Sequence, residues 1–102
     1  MTGTAAFALA APSAALGHTQ YSTHPEGSYV QVDGHSWMKA CDRDVDGHRV
    51  RGWYDHWWAP GSYYQTAWAP SQGCTEPIGI GQLRSFRVCV EDEGCTAWKS
   101  VS

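Results

Sequence analysis

Leu83-Arg84-Ser85-Phe86-Arg87-Val88-Cys89-Val90-Glu91-Asp92-Glu93-Gly94-Cys95-Thr96-Ala97-Trp98-Lys99-Ser100-Val101 is the stretch on which the fold turns. Its alternation predicts strands over Leu83 to Glu91 and Thr96 to Val101, and Asp92-Glu93-Gly94 supplies the turn chemistry that closes them into a hairpin. Cys89 and Cys95 flank that turn, so a disulfide between them would be easy to close. The same period gives further strands at Tyr29 to Val32, Trp37 to Asp42, His48 to Asp55 and Tyr63 to Trp68. Asp33-Gly34 and Asp46-Gly47 offer the positive φ of tight hairpins, while Ala59-Pro60-Gly61 and Ala69-Pro70-Ser71 read as breaks. Eleven Gly and five Pro punctuate the chain, and no window holds a helical period for long. The expected fold is all-β: a small disulfide-stabilised sandwich or barrel of about six short antiparallel strands, with an extended N-terminal arm.

Four cysteines, Cys41, Cys74, Cys89 and Cys95, follow an apolar start, Met1 to Gly17, in which Ala, Leu and Phe dominate and no Lys or Arg appears. That start reads as a remnant of a secretory signal peptide over residues 1–15, with small residues at Ala8 and Ala10 or at Ser13 and Ala15 for cleavage. Pro12, Ser13 and Gly17 interrupt it too soon for a membrane anchor. An even cysteine count behind such a leader places the chain outside the cell and predicts a disulfide framework, because a domain of about 85 residues buries too little apolar surface to do without cross-links. Of the three possible pairings, Cys41 with Cys74 and Cys89 with Cys95 is favoured. Residues 16–28 are expected to be a flexible arm and residues 29–102 a single β-domain.

Four constellations bear on chemistry. Asp42-Arg43-Asp44-Val45-Asp46-Gly47 matches the first half of a Ca²⁺ loop, yet the twelfth position is Trp53 instead of a bidentate Glu, so an acidic hairpin is the better reading. Trp53, Tyr54, Trp57, Trp58, Tyr63, Tyr64 and Trp68 place seven of the thirteen aromatics close together. Neighbours on one strand must point to opposite sides, so some of these rings, with Trp57, Trp58, Tyr63 and Tyr64 as candidates, are expected at an interface. His18, His24, His35, His48 and His56 lack metal-site spacing, and no Gly-x-Ser-x-Gly elbow or comparable nucleophile appears. Neither a cofactor, a metal nor an enzyme is expected. Ten acidic against seven basic residues give a net charge of −3, without the basic footprint of a nucleic-acid binder.

The order Ala40-Cys41-Asp42-Arg43-Asp44-Val45-Asp46-Gly47-His48, then Gly73-Cys74, Phe86-Arg87-Val88-Cys89-Val90-Glu91 and Cys95-Thr96-Ala97-Trp98-Lys99 resembles a group of small secreted actinobacterial proteins that includes the adaptor subunit of umbrella toxin particles. The resemblance spans roughly Val32 to Lys99. It implies a non-enzymatic adaptor that links a lectin-bearing, trypsin-like subunit to a large repeat-containing toxin subunit in an antibacterial particle. The arm, His18, Thr19, Gln20, Tyr21, Ser22, Thr23, His24 and Pro25, would enter the first partner's cleft, and the globular body would contact the second. A secreted enzyme inhibitor, or a carbohydrate-binding module using the Trp/Tyr-rich region, is the alternative. No nucleic acid or membrane is expected among the partners.

Overall fold

Two antiparallel sheets form the structure, a computed structural model that describes residues 19–45 and 47–102. The first sheet takes β1 (Thr19–Thr23), β2 (Tyr29–Asp33), β3 (Trp37–Cys41) and, past the middle of the chain, β6 (Ile78–Gly79) in the order β1-β2-β3-β6. The second takes β4 (Val50–His56), β5 (Ala59–Gln65) and β7 (Leu83–Val90) in the order β5-β4-β7. Both β8 (Gly94–Cys95) and β9 (Lys99–Ser100) pair with β7. The expected all-β, disulfide-stapled sandwich is therefore the fold.

Alternation explains which residues fill the space between the sheets. Val30, Val32, Met38 and Ala40 project from one sheet, and Val50, Leu83, Phe86, Val88 and Val90 from the other, and all are buried in one cluster. Gly52 on β4 faces Val30 and Met38 of the other sheet. A Cβ there would stand 3.0 Å from Val30 Cγ2 and 3.4 Å from Met38 Sδ, so any larger residue requires those side chains to shift, and glycine suits the close approach. Both disulfides have the expected partners. Cys89 and Cys95 are directly opposed across β7 and β8, and Cys41 faces Cys74 across an isolated bridge; each pair is 4.0 Å apart between Cα atoms.

Several expectations are corrected. Residues 19–28 are not a flexible arm. Thr19–Thr23 is extended, but it is paired along its whole length with β2 and fixed from the other side by the C-terminal segment. The Ser22 and Thr96 hydroxyls lie 2.7 Å apart, Ser102 N–H donates to Gln20 Oε1 at 2.8 Å, and Lys99 Nζ donates to the Tyr21 carbonyl at 2.9 Å. β3 and β4 lie in different sheets and form no hairpin with each other; Asp46 lies outside the described residues, as do His18 and the expected leader. Ala59-Pro60-Gly61 is no break, since these residues begin β5 and the turn falls at Trp57-Trp58, where His56 opposes Ala59. Proline is tolerated there because β5 is an edge strand. The strand expected over Thr96 to Val101 is reduced to β9, Lys99–Ser100, although Val101 is buried in the core.

Candidate functional site

Rings and guanidinium groups collect on the outer face of the five-stranded sheet. On β4 the outward positions are Arg51, Trp53 and Asp55, opposed on β7 by Cys89, Arg87 and Ser85. Arg87 lies over the Trp53 ring at 5.7 Å and over Trp98 at 4.4 Å, and Tyr63 stacks on Trp98 with centroids 4.4 Å apart. Further along, Arg51 sits 3.4 Å and Arg49 4.3 Å from the centroid of Trp68. Cation–π stacking of this kind holds long side chains flat against the sheet.

Asp55 anchors one end of that face. Its side chain is fully buried and accepts from Gly61 N–H at 2.9 Å, Ser85 hydroxyl at 2.5 Å, and Arg84 Nε and Nη2 at 2.9 and 2.7 Å. Burial pushes this carboxyl upward, but the hydrogen bonds from Gly61, Ser85 and Arg84 and the Arg84 charge outweigh it, and Asp55 is held below the ordinary carboxylate value. These hydrogen bonds tie β4 to β5 and to β7. At the other end Arg49 forms an ion pair with Glu91 at 2.6 Å. The hydrogen bond from Arg49 lowers the Glu91 carboxyl, and the same bond raises Arg49.

A second cluster occupies the β4–β5 turn. Trp57 and Trp58 are 54% and 63% exposed, and Tyr63 and Tyr64 are 45% and 44% exposed. The neighbouring tyrosines point to opposite sides, as alternation requires: Tyr63 joins the outer face, whereas Tyr64 stacks on Tyr54, 5.7 Å between centroids, and Tyr54 packs on the core. Burial and the nearby Tyr64 raise the Tyr54 phenol. Trp58 stacks on His56 at 4.4 Å, and His56 donates from Nδ1 to the Gly81 carbonyl at 2.8 Å. With Trp57 N–H bonded to Gln82 C=O at 2.9 Å, the turn is tied to the loop before β7. The four aromatics expected at an interface are thus all exposed, but they divide between two surfaces.

The remaining expected positions have structural occupations. Asp42 is buried; its Oδ1 accepts from Asp44 N–H at 3.0 Å and from the Ser28 hydroxyl at 3.5 Å, so the half-loop is an Asx turn. His24 is buried, and its Nδ1 accepts from Glu26 N–H at 3.3 Å in the turn between β1 and β2, which also contains Pro25. No group of three or more metal-ligating side chains occurs among the described residues. An open groove of about 390 Å³ runs beside the Cys41–Cys74 disulfide, walled by Trp68, Pro70 and Ile78 with Glu76 at its side.

Arg87, Trp98 and Asp55 were not among the candidate site residues of the sequence, although Arg87 and Trp98 lie within the motifs that carry the resemblance. Arg87 was legible in part, since Phe86-Arg87-Val88 alternates and places the arginine away from the core. Trp98 was marked only by its place after Cys95, and alternation did not give it a side, because its segment pairs at only two residues. No family model, curated protein or solved structure matches the chain, so its function is read from these residues and their geometry.

Proposed function

We propose that this chain is a secreted, non-enzymatic protein-binding adaptor, acting between a lectin-bearing trypsin-like subunit and a large repeat-containing toxin subunit of an antibacterial particle. The observation that carries a binding role is the exposed Trp, Tyr and Arg surface, mounted on a stapled sandwich and spread over two separate regions. These residue types dominate the energetic centres of protein interfaces. A rigid body with two such regions suits a protein that must hold two partners at once. The cysteine-framed motifs, from Cys41-Asp42 through Phe86-Arg87-Val88-Cys89 to Cys95-Thr96-Ala97-Trp98, support the particular assembly, and the two disulfides suit an oxidising exterior.

Trp57 and Trp58 favour one other reading. They are the most open of the tryptophans, and exposed ring surface of this kind is what stacks on sugars in a carbohydrate-binding module. Affinity purification of the tagged protein from its own culture supernatant, followed by mass spectrometry, separates these readings. Co-purification of a trypsin-like protein bearing a lectin domain, together with a very large repeat protein, is the expected result. A single hydrolase would instead indicate an inhibitor, and retention on glycans without a protein partner would indicate a sugar binder.

A further inference from the structure

Arg51 and Arg87 lie on the outer face of the five-stranded sheet without a carboxylate partner among the described residues. The described ion pairs are Arg49 with Glu91, Arg84 with Asp55, and His48 with Glu93, so both acids that border this face are already engaged. Arg87 Nε is buried between rings and makes no hydrogen bond among the described residues. Desolvation and the adjacent Arg49 charge lower Arg51, partly offset by Glu91, as expected of a cation crowded by another. In a chain whose net charge is −3, two unpaired guanidinium groups supported on Trp53, Trp68 and Trp98 form a local positive surface.

We propose that this face docks an acidic protein segment in extended conformation, whose carboxylates pair with Arg51 and Arg87. Charge complementarity selects the occupant: the face offers donors and positive charge, and a carboxylate is the planar acceptor that matches a guanidinium fork. Spacing agrees with an extended segment. Arg51 opposes Cys89 and Arg87 opposes Trp53, so the two arginines are diagonal neighbours across adjacent strands, about 7–8 Å apart at their Cα atoms. Alternate residues of an extended chain stand about 6.5–7 Å apart and project to one side. The rings are less suited to a sugar, because Trp98 is covered by Tyr63 and Arg87, and Trp68 by Arg51. The proposal rests on the adaptor reading in taking a protein as the occupant, and deepens it by naming that protein's chemistry.

The test titrates the purified chain with an alternating Glu-Thr peptide, an alternating Lys-Thr peptide and oligogalacturonate, following backbone amide shifts by NMR. The Glu-Thr peptide binds and shifts β4 and β7, the Lys-Thr peptide does not, and Arg51→Gln or Arg87→Gln each weakens binding about tenfold, the loss of one charge-assisted contact. Arg87→Lys keeps the charge and retains part of the affinity, which separates recognition from packing; unchanged amide spectra elsewhere confirm that each variant is folded. No peptide binding, or binding indifferent to both substitutions, overturns the proposal. Oligogalacturonate binding ten times more tightly with the same arginine dependence also overturns it, and assigns the face to an anionic glycan. In supernatant capture, loss of one protein partner in the Arg51→Gln/Arg87→Gln double variant supports the proposal. Full recovery of every partner by that variant overturns it while leaving the adaptor reading intact.

Discussion

Side chains of the facing sheet crowd Gly52, and the consequence is measurable. Alanine there places a Cβ 3.0 Å from Val30 Cγ2, and overpacking of this kind costs about 1–3 kcal/mol, read as a lower urea midpoint at unchanged slope. Asp55 makes a sharper case. Replacing it with asparagine removes the charge that Arg84 and Ser85 address and leaves the site polar, and the expected loss is about 2–4 kcal/mol. The sign of its pH dependence follows from the direction of its shift. Because the folded carboxyl lies below its unfolded value, its stabilisation is present above the unfolded pKa of about 3.9 and is lost as pH falls through the lower folded value. Acid titration of stability is therefore shallower in Asp55→Asn than in the parent, and parallel acid limbs would remove this account.

At the scale of elements, what the sequence revealed depended on how much apolar contrast each strand carries. β2, β3, β4 and β7 alternate Val, Met, Ala and Phe against polar residues, and they stand within two residues of where alternation put them. β1 reads Thr-Gln-Tyr-Ser-Thr, and its inward side chains, Gln20 and Ser22, are satisfied by Ser102 and Thr96 through hydrogen bonds. Polarity made it look like a loose arm, since no hydrophobic period marks a strand whose buried face is held by hydroxyls and amides. β5 was displaced for a different reason: proline and glycine usually break strands, but an exposed edge tolerates both. The surface site was legible only as a surplus of rings, because which ring meets which arginine depends on register between distant strands. Hydrogen exchange checks the β1 correction. The amides that bond to β2, alternate ones in an edge strand, are expected to be protected by about a hundredfold or more over a free chain, and exchange of these at free-chain rates would restore the arm. The disulfides differ at the same scale. Closing 33 residues, the Cys41–Cys74 link contributes about 4 kcal/mol, against about 2 kcal/mol for Cys89–Cys95, which spans 6. Paired Cys→Ala variants compared by denaturant melts should keep that order.

For the whole molecule, the division of aromatics between support and display decides which surfaces are available to partners. Trp53, Trp68 and Trp98 hold guanidinium groups flat against the sheet, so truncating them removes packing as well as ring surface. Trp57 has no such role: it is 54% exposed, and its nearest cation, Arg84, lies 6.0 Å from the ring while bonded to Asp55. Trp57→Ala is accordingly expected to leave stability within about 0.5 kcal/mol of the parent, as surface substitutions usually do, whereas Trp98→Ala loses about 1–2 kcal/mol through the Tyr63 stack and the Arg87 contact. Binding should separate them in the opposite direction. If the β4–β5 turn is one of two partner surfaces, Trp57→Ala reduces capture of one partner at least tenfold while the other is recovered in full, the loss typical of an interfacial tryptophan. Equal loss of both partners would point to a single shared surface, and a rigid two-sided adaptor would then be the wrong description of how this sandwich works.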